Sequence, residues 1–128
     1  MQALSIKQPW AELILRGIKD VENRTWETAY RGQFILHAGK KLDAEAYSRL
    51  SPYHDFRELP SGILGVCELV SCSRTVSSGW HEPGYWGLYL MNPRRFARPI
   101  PFNGRQCFFD VPDELVREAL EQVECQSV

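Results

Sequence analysis

The sequence lacks any apolar segment long enough to cross a bilayer, which takes about 18 residues or more. Its first residues, Met1 to Pro9, hold neither a charged lead nor a long apolar stretch, so we predict no secretory signal. Hydrophobic residues make up 44% of the 128 residues and charged residues 24%, which excludes disorder, a collagen-like chain and a coiled coil. We therefore expect a cytoplasmic protein without membrane contact, folded as a single domain over residues 1–128.

Cysteine and histidine are scarce and scattered. No two of the four cysteines form a Cys-x-x-Cys pair, and the three histidines lack the spacing of metal ligands. Without a secretory signal, the cysteines are expected to be reduced thiols. The sequence therefore predicts no metal site and no cofactor. The residues concerned are Cys67, Cys72, Cys107, Cys125, His37, His54 and His81.

The total charge also has no dominant sign, since 15 basic and 16 acidic residues leave a net charge of −1. The distribution along the chain is uneven. Residues 1–41 hold seven basic and four acidic residues, a net +3, whereas residues 110–128 hold one basic and six acidic residues, a net −5. Two interpretations follow: an acidic C-terminal helix hides a basic face in the total, or the surface is an ordinary mixture of charges.

Hydrophobic periodicity and turn residues predict three helices and six or seven short strands. Trp10 and Ile14 have helical spacing within residues 8–16, Asp43 suits the cap of a second short helix, and Pro112 opens a third. Because no strand–helix–strand rhythm occurs, we predict an α+β fold: a small, mostly antiparallel β-barrel of about six strands with two or three flanking helices. Strands are predicted at residues 3–6, 21–26, 32–38, 62–70, 85–91, 99–102 and 108–109.

One segment concentrates the residue types that bind polar planar ligands. Gly17 ends the first helix, so Lys19 lies just before a strand on a stem long enough to reach inward. Glu22 and Arg24 are two apart in an extended strand and share a face, with Trp26 beside them. Basic groups suit phosphate, a carboxylate suits a base amino group and an indole suits stacking. The alternative is an exposed Glu22–Arg24 ion pair worth about 0.2–1 kcal/mol, beside a solvated Lys19.

Four further residues have two interpretations each. Glu68 is the single ionisable residue of an apolar strand, and it either faces the cleft or points outward. Trp10 lies on the apolar face of its helix, as a core residue does, although an indole also suits stacking. Trp86 fits the core or a stacking surface equally. Lys40 follows a strand, where a phosphate contact and a solvated surface lysine are both expected.

The spacing Gly17-x-Lys19-x-x-Glu22-x-Arg24 resembles the signature of the ASCH domain family, whose fold is a β-barrel of the PUA-like group. The resemblance covers most of the chain, apart from roughly residues 45–60 and 72–83. The flanking segments that also resemble the family are Leu4–Ala11, Tyr30–Gly32, Ile35–Ala38, Trp86–Leu88, Pro99–Pro101, Gly104–Gln106 and Phe109–Pro112.

This resemblance implies binding of RNA or other nucleic acid in a cleft beside the signature. Some ASCH relatives are enzymes, among them a ribonuclease-like member and a small amidohydrolase of acetylated cytidine nucleosides. In that amidohydrolase the signature lysine works with a threonine three positions later and with a glutamate from a later strand. By position these match Lys19, Glu22 and Glu68, and the carboxylate of Glu22 in place of a hydroxyl argues against the amidohydrolase activity.

We therefore predict a domain that binds RNA, another single-stranded nucleic acid or a nucleoside-like small molecule in a basic cleft. One alternative is a hydrolase of a modified nucleoside or RNA, with Lys19, Glu22 and Glu68 as catalytic residues. A second alternative is an adaptor whose acidic C-terminal helix contacts another protein. The predicted binding residues are Lys7, Lys19, Glu22, Arg24, Trp26, Arg31, Lys40 and Trp86.

Overall fold

A computed structural model describes the backbone of residues 1–126 and the side chains of residues 1–124. The strands are β1 (Gln2–Ser5), β2 (Val21–Arg24), β3 (Gly32–Ala38), β4 (Gly62–Ser73), β5 (Trp86–Ile100) and β6 (Phe108–Asp110). The helices are α1 (Trp10–Leu15), α2 (Ala44–Leu50) and α3 (Asp113–Gln126). The six strands form one sheet in the order β2-β5-β4-β3-β1-β6.

The sheet curls until its two ends meet. Among the described strands β1 and β3 form the one parallel pair, and every other neighbouring pair is antiparallel. Three strands separate β2 from β1 in the sheet, yet the Arg24 guanidinium donates to the Ser5 carbonyl oxygen at 2.8 Å. Trp26, just after β2, meets Phe108 of β6 with ring centroids 6.0 Å apart. The predicted α+β fold, a small PUA-like and mostly antiparallel barrel, is confirmed.

The inner face of the sheet packs against α1. This helix buries Ala11, Ile14 and Leu15 in the inner core. It ends before Gly17, whose φ of +75° is a conformation that glycine adopts without strain, so the chain turns there towards β2. The members that the strands contribute to the inner core include Leu4, Phe34, Leu36, Leu64, Cys67, Leu69, Leu88 and Leu90.

The outer face of the sheet packs against α3. Val116 and Val123 of this helix join a second core that includes Ile35 and Val66 of the sheet. The predicted third helix is confirmed, but Leu115, which the pattern places on its apolar face, is 39% exposed. At helical spacing Leu115 lies about 100° from Val116, at the edge of the apolar stripe, which explains its exposure.

The sequence prediction of two separate strands, at 85–91 and 99–102, is wrong, because the structure has the single strand β5 there. It runs without a break from Trp86 to Ile100, through Pro93 and Pro99. Beyond the four residues paired with β2, the remainder of β5 has β4 as its one strand neighbour among the described residues. A proline is tolerated on such an uncovered strand edge, because its missing N–H has no ladder partner there.

The described cysteines Cys67, Cys72 and Cys107 are free thiols. Burial raises the pKa of Cys67 to about 12, so this thiol is protonated at neutral pH. The side chain of Cys125 lies outside the described residues. Within residues 1–126, no helix combines the length and the apolarity needed to cross a membrane.

Candidate nucleic-acid interface

Lys19 is buried rather than solvated. The turn at Gly17 directs its side chain inward, and only 4% of the residue is exposed. The ammonium donates to the Val21 carbonyl oxygen and, at 3.1 Å, to Oε1 of Glu22. It also lies 5.2 Å from the ring centroid of Trp10. Lys19 therefore has its hydrogen-bonding partners within the protein.

Glu22 joins Lys19 to Arg24. Its Oε2 accepts from Nε of Arg24 at 3.1 Å, while Oε1 accepts from Lys19. The Arg24 guanidinium continues to the Ser5 carbonyl oxygen, so one chain of charged hydrogen bonds closes the gap between β2 and β1. The alternative of an exposed ion pair beside a solvated lysine is wrong, because Glu22 is 8% and Lys19 4% exposed. Arg24, whose side chain is 19% exposed, is the most accessible of the three.

Two half-buried tryptophans lie beside arginines near the Lys19–Glu22–Arg24 hydrogen bonds. The Arg24 guanidinium carbon is 5.7 Å from the ring centroid of Trp26. In the β2–β5 ladder Arg24 lies opposite Trp86, and residues opposite each other in an antiparallel pair project on the same face. The guanidinium carbon of exposed Arg74 lies 4.9 Å from the Trp86 ring. The predicted residues Arg24, Trp26 and Trp86 are thus brought together.

Trp10 is half-buried and contacts two cations and one carboxylate. Besides Lys19, the guanidinium carbon of Arg49 on α2 lies 5.9 Å from its ring. The indole N–H donates to Oδ2 of Asp43 at 3.0 Å. Asp43 also caps α2, as predicted, by accepting from the backbone N–H of Ala46 at 3.1 Å. Trp10 therefore ties α1 to α2 as well as contacting the inner core.

The pKa of Asp43 is lowered, first by the Ala46 backbone hydrogen bond and then by the Trp10 hydrogen bond, with the charges of Lys7 and Arg49 adding to the effect. Because the pKa of this carboxyl is lower in the folded than in the unfolded protein, its negative charge stabilises the fold at pH values above the ordinary pKa of 3.8. This stabilisation is lost as the pH falls through the pKa of the folded state. Exposed Lys7 thus acts on the same carboxylate as Arg49.

Asp43→Asn tests this pH dependence, because asparagine keeps one acceptor oxygen for the cap but removes the charge and the second acceptor, which Trp10 uses. We expect the parent to exceed the variant in unfolding free energy by about 0.3–1 kcal/mol near neutral pH. The difference should shrink below about pH 4, where the parent carboxylate takes up its proton. Urea unfolding across this range measures it, with Glu118→Gln on the exposed face of α3 as the control. A difference that is constant down to about pH 2 contradicts the prediction.

Glu68 lies on the other face of the sheet. Its neighbours Cys67 and Leu69 both belong to the inner core, and side chains alternate along a strand, so Glu68 projects from the outer face. Its partners in the ladders are Gln33 and Met91. The structure does not bring Glu68 to the buried lysine of the signature.

Two other predicted residues are exposed. Arg31 donates to the carbonyl oxygens of Thr28 and Tyr30 at 2.9 and 2.7 Å, within its own turn. Lys40 follows β3 and lines a cavity of about 380 Å³. Gln8 is among the other residues that line this cavity. Lys40 is therefore placed near the start of α1, which Gln8 precedes.

Arg49, Arg74 and Trp80 belong to this region and were not predicted. Arg74 and Trp80 lie between β4 and β5, in a serine- and glycine-rich segment that was predicted as a connection. A tryptophan inside such a polar segment was the available signal for Trp80. Arg49 had no signal, because only the packing of α2 brings it to Trp10.

The curled barrel and its buried lysine–glutamate–arginine chain define a PUA-like domain with the signature spacing intact. A family model described as "ASCH domain" matches residues 4–99. The chain therefore belongs to the ASCH domain family, and the predicted resemblance is confirmed.

Among characterised proteins, the chain is similar to Activating signal cointegrator 1 of Mus musculus and of Homo sapiens. It is 40% identical to each over 80 residues. The alignment covers 54% of this chain and 14% of each relative. The matched segment of this chain thus corresponds to a small part of these longer proteins.

Proposed function

We propose that this chain binds single-stranded nucleic acid, RNA in particular, at a surface where indoles lie beside basic side chains. We name this surface the indole–cation surface. The observation that supports the proposal is that three tryptophans each have a basic group within 6 Å of the ring centroid. The surface consists of Trp10, Arg24, Trp26, Arg49, Arg74 and Trp86.

Such a surface suits an unpaired polynucleotide. Bases stack on aromatic rings without regard to sequence, and the guanidinium groups contact the phosphates between them. Arg49 and Arg74 are exposed, and Lys7 and Lys40 extend the positive charge on the side of α1. Net charge is a poor guide here, because residues 110–128 hold six acidic residues against one basic residue.

Lys19 and Glu22 have an indirect role in this proposal. Both are buried and paired, so they orient Arg24 instead of contacting phosphate themselves. Binding is favoured over hydrolysis, because the amidohydrolase interpretation needs Glu68 to work with Lys19, and Glu68 projects from the outer face. The free thiols support a cytoplasmic location, which we propose together with this function.

Arg74→Ala tests the proposal with the least risk to the fold, because Arg74 is exposed. We expect it to weaken binding of a labelled oligouridylate of about 12 nucleotides by about fivefold. Fluorescence anisotropy at several salt concentrations should show a logarithmic salt dependence shallower by about 0.7, since one phosphate contact is lost.

Arg57→Ala is the matched control, because Arg57 is 88% exposed and pairs with Asp55 away from the tryptophans. It should leave both the affinity and the salt dependence close to those of the parent. If the parent shows no binding at low salt, or if the Arg74 and Arg57 variants bind alike, the proposed function is wrong.

A further inference from the structure

A fourth indole differs from the three of the indole–cation surface. Trp80 lies in the segment between β4 and β5, and it is half-buried. Its ring centroid is 6.4 Å from that of Trp10, with the ring planes at 79°. Among residues 1–124, no basic side chain lies over the Trp80 ring. Because the contact with Trp10 is edge-on and Trp80 is only half-buried, part of this residue remains accessible to a ligand.

The backbone around Trp80 is held by a residue of the signature segment. Asn23 lies in β2 between Glu22 and Arg24, and its side-chain amide donates to the Trp80 carbonyl oxygen at 2.9 Å. The amide oxygen accepts from the backbone N–H of Glu82 at 3.0 Å. One side chain thus binds the backbone on both sides of His81 and fixes the position of Trp80 against β2.

Further contacts hold the same segment. The Ser78 hydroxyl donates to Oδ1 of Asp20 at 2.6 Å and accepts from the Trp80 backbone N–H at 3.1 Å. Gly87 permits close packing on β5, since a Cβ there would lie 2.7 Å from the His81 ring and 2.9 Å from Val76. A polar connection that would otherwise be mobile is therefore attached to both β2 and β5.

We infer that Trp80 stacks on an unpaired base of the bound nucleic acid, and that Asn23 is the positioning residue that holds it in place. The inference rests on the proposed function and specifies which indole stacks on the base. Only unpaired bases can offer a face to the ring, so the ligand class is single-stranded nucleic acid in preference to duplex. A purine has a larger stacking area than a pyrimidine, so a purine-rich strand is the preferred ligand.

Trp80→Ala provides the first test, with two probes of equal length. One is a labelled oligoadenylate of about 12 nucleotides, and the other is the matching abasic oligonucleotide. We expect the variant to bind the oligoadenylate about tenfold more weakly, with the abasic affinity and the salt dependence unchanged, because stacking is lost and phosphate contacts are kept. Trp80→Phe should keep most of the affinity. Tyr53→Ala, which removes an 80%-exposed aromatic ring elsewhere, is the control.

Asn23→Ala tests the positioning role. It should reduce the preference for oligoadenylate over the abasic strand, and a general loss of structure would instead weaken binding of both probes. If the parent binds neither probe at low salt, the proposed function and this inference both fail. If the parent binds and Trp80→Ala retains the full base preference, the proposed function stands and the role of Trp80 is refuted.

Discussion

Glu22→Ala is expected to lower the free energy of unfolding by about 3–5 kcal/mol, because it removes the carboxylate that Lys19 and Arg24 share. Lys19→Met should cost less, since Glu22 keeps Arg24 and the new side chain fills the buried volume. Glu22→Gln retains the shape and one acceptor oxygen, so we expect it to fold, with a cost between the other two and with altered ligand binding. Urea unfolding near neutral pH, followed by circular dichroism, gives all three values.

Arg24→Ala is expected to lose both stability and nucleic-acid binding, because Arg24 bonds to Ser5 and belongs to the indole–cation surface. The control for the stability measurements is Glu45→Ala, since Glu45 is 80% exposed and pairs with Arg49 at 3.4 Å. That substitution should change the unfolding free energy by less than about 1 kcal/mol. Equal effects of Glu22→Ala and Glu45→Ala would show that the buried charges contribute no more than an exposed pair.

Glu12→Ala is the second substitution expected to have a large effect, of about 3 kcal/mol. The Glu12 carboxylate is 7% exposed and accepts two hydrogen bonds from Arg95 of β5, at 3.0 and 2.7 Å. It also accepts from Nε of Arg16 at 2.7 Å. Removing it leaves the Arg16 and Arg95 guanidinium groups without their shared carboxylate and breaks the ionic link between α1 and β5.

Alanine favours helix more than glutamate does, so helix propensity alone would make this variant slightly more stable. Any loss measured by urea unfolding therefore comes from the tertiary contacts of the Glu12 side chain, which are its ion pairs and the packing of its stem. Arg16→Ala should cost less, because Glu12 retains both hydrogen bonds from Arg95. A Glu12→Ala variant as stable as the parent would contradict the assigned role of this carboxylate.

Local patterns were sufficient where the neighbouring residues of the chain determine the structure. The apolar run before Gly39 predicted β3 with the bounds Gly32–Ala38, and the Asp43 cap placed the start of α2 correctly. The two-residue spacing also placed Glu22 and Arg24 in contact on one face of β2. Each of these predictions uses a period or a cap that involves only a few adjacent residues.

Other features depend on distant parts of the chain. A lysine stem can lie in solvent or fold inward, and only the enclosure of Lys19 by Trp10 and Glu22 decides between the two. The orientation of Glu68 depends on the register of β3 against β4. The attachment of Trp80 to Asn23 joins residues 57 positions apart, which no local pattern reports.

The uncovered part of β5 also bears on how the protein avoids self-association. A long strand edge with free N–H and C=O groups is a template on which another chain can form a β-ladder. Pro93 and Pro99 each remove one N–H donor from the strand, and the exposed Arg98 places a positive charge beside Pro99. A second copy that pairs with this edge would also have to accommodate the charge of Arg98. We therefore expect the prolines that interrupt the strand pattern in the sequence to disfavour edge-to-edge pairing of the folded molecule.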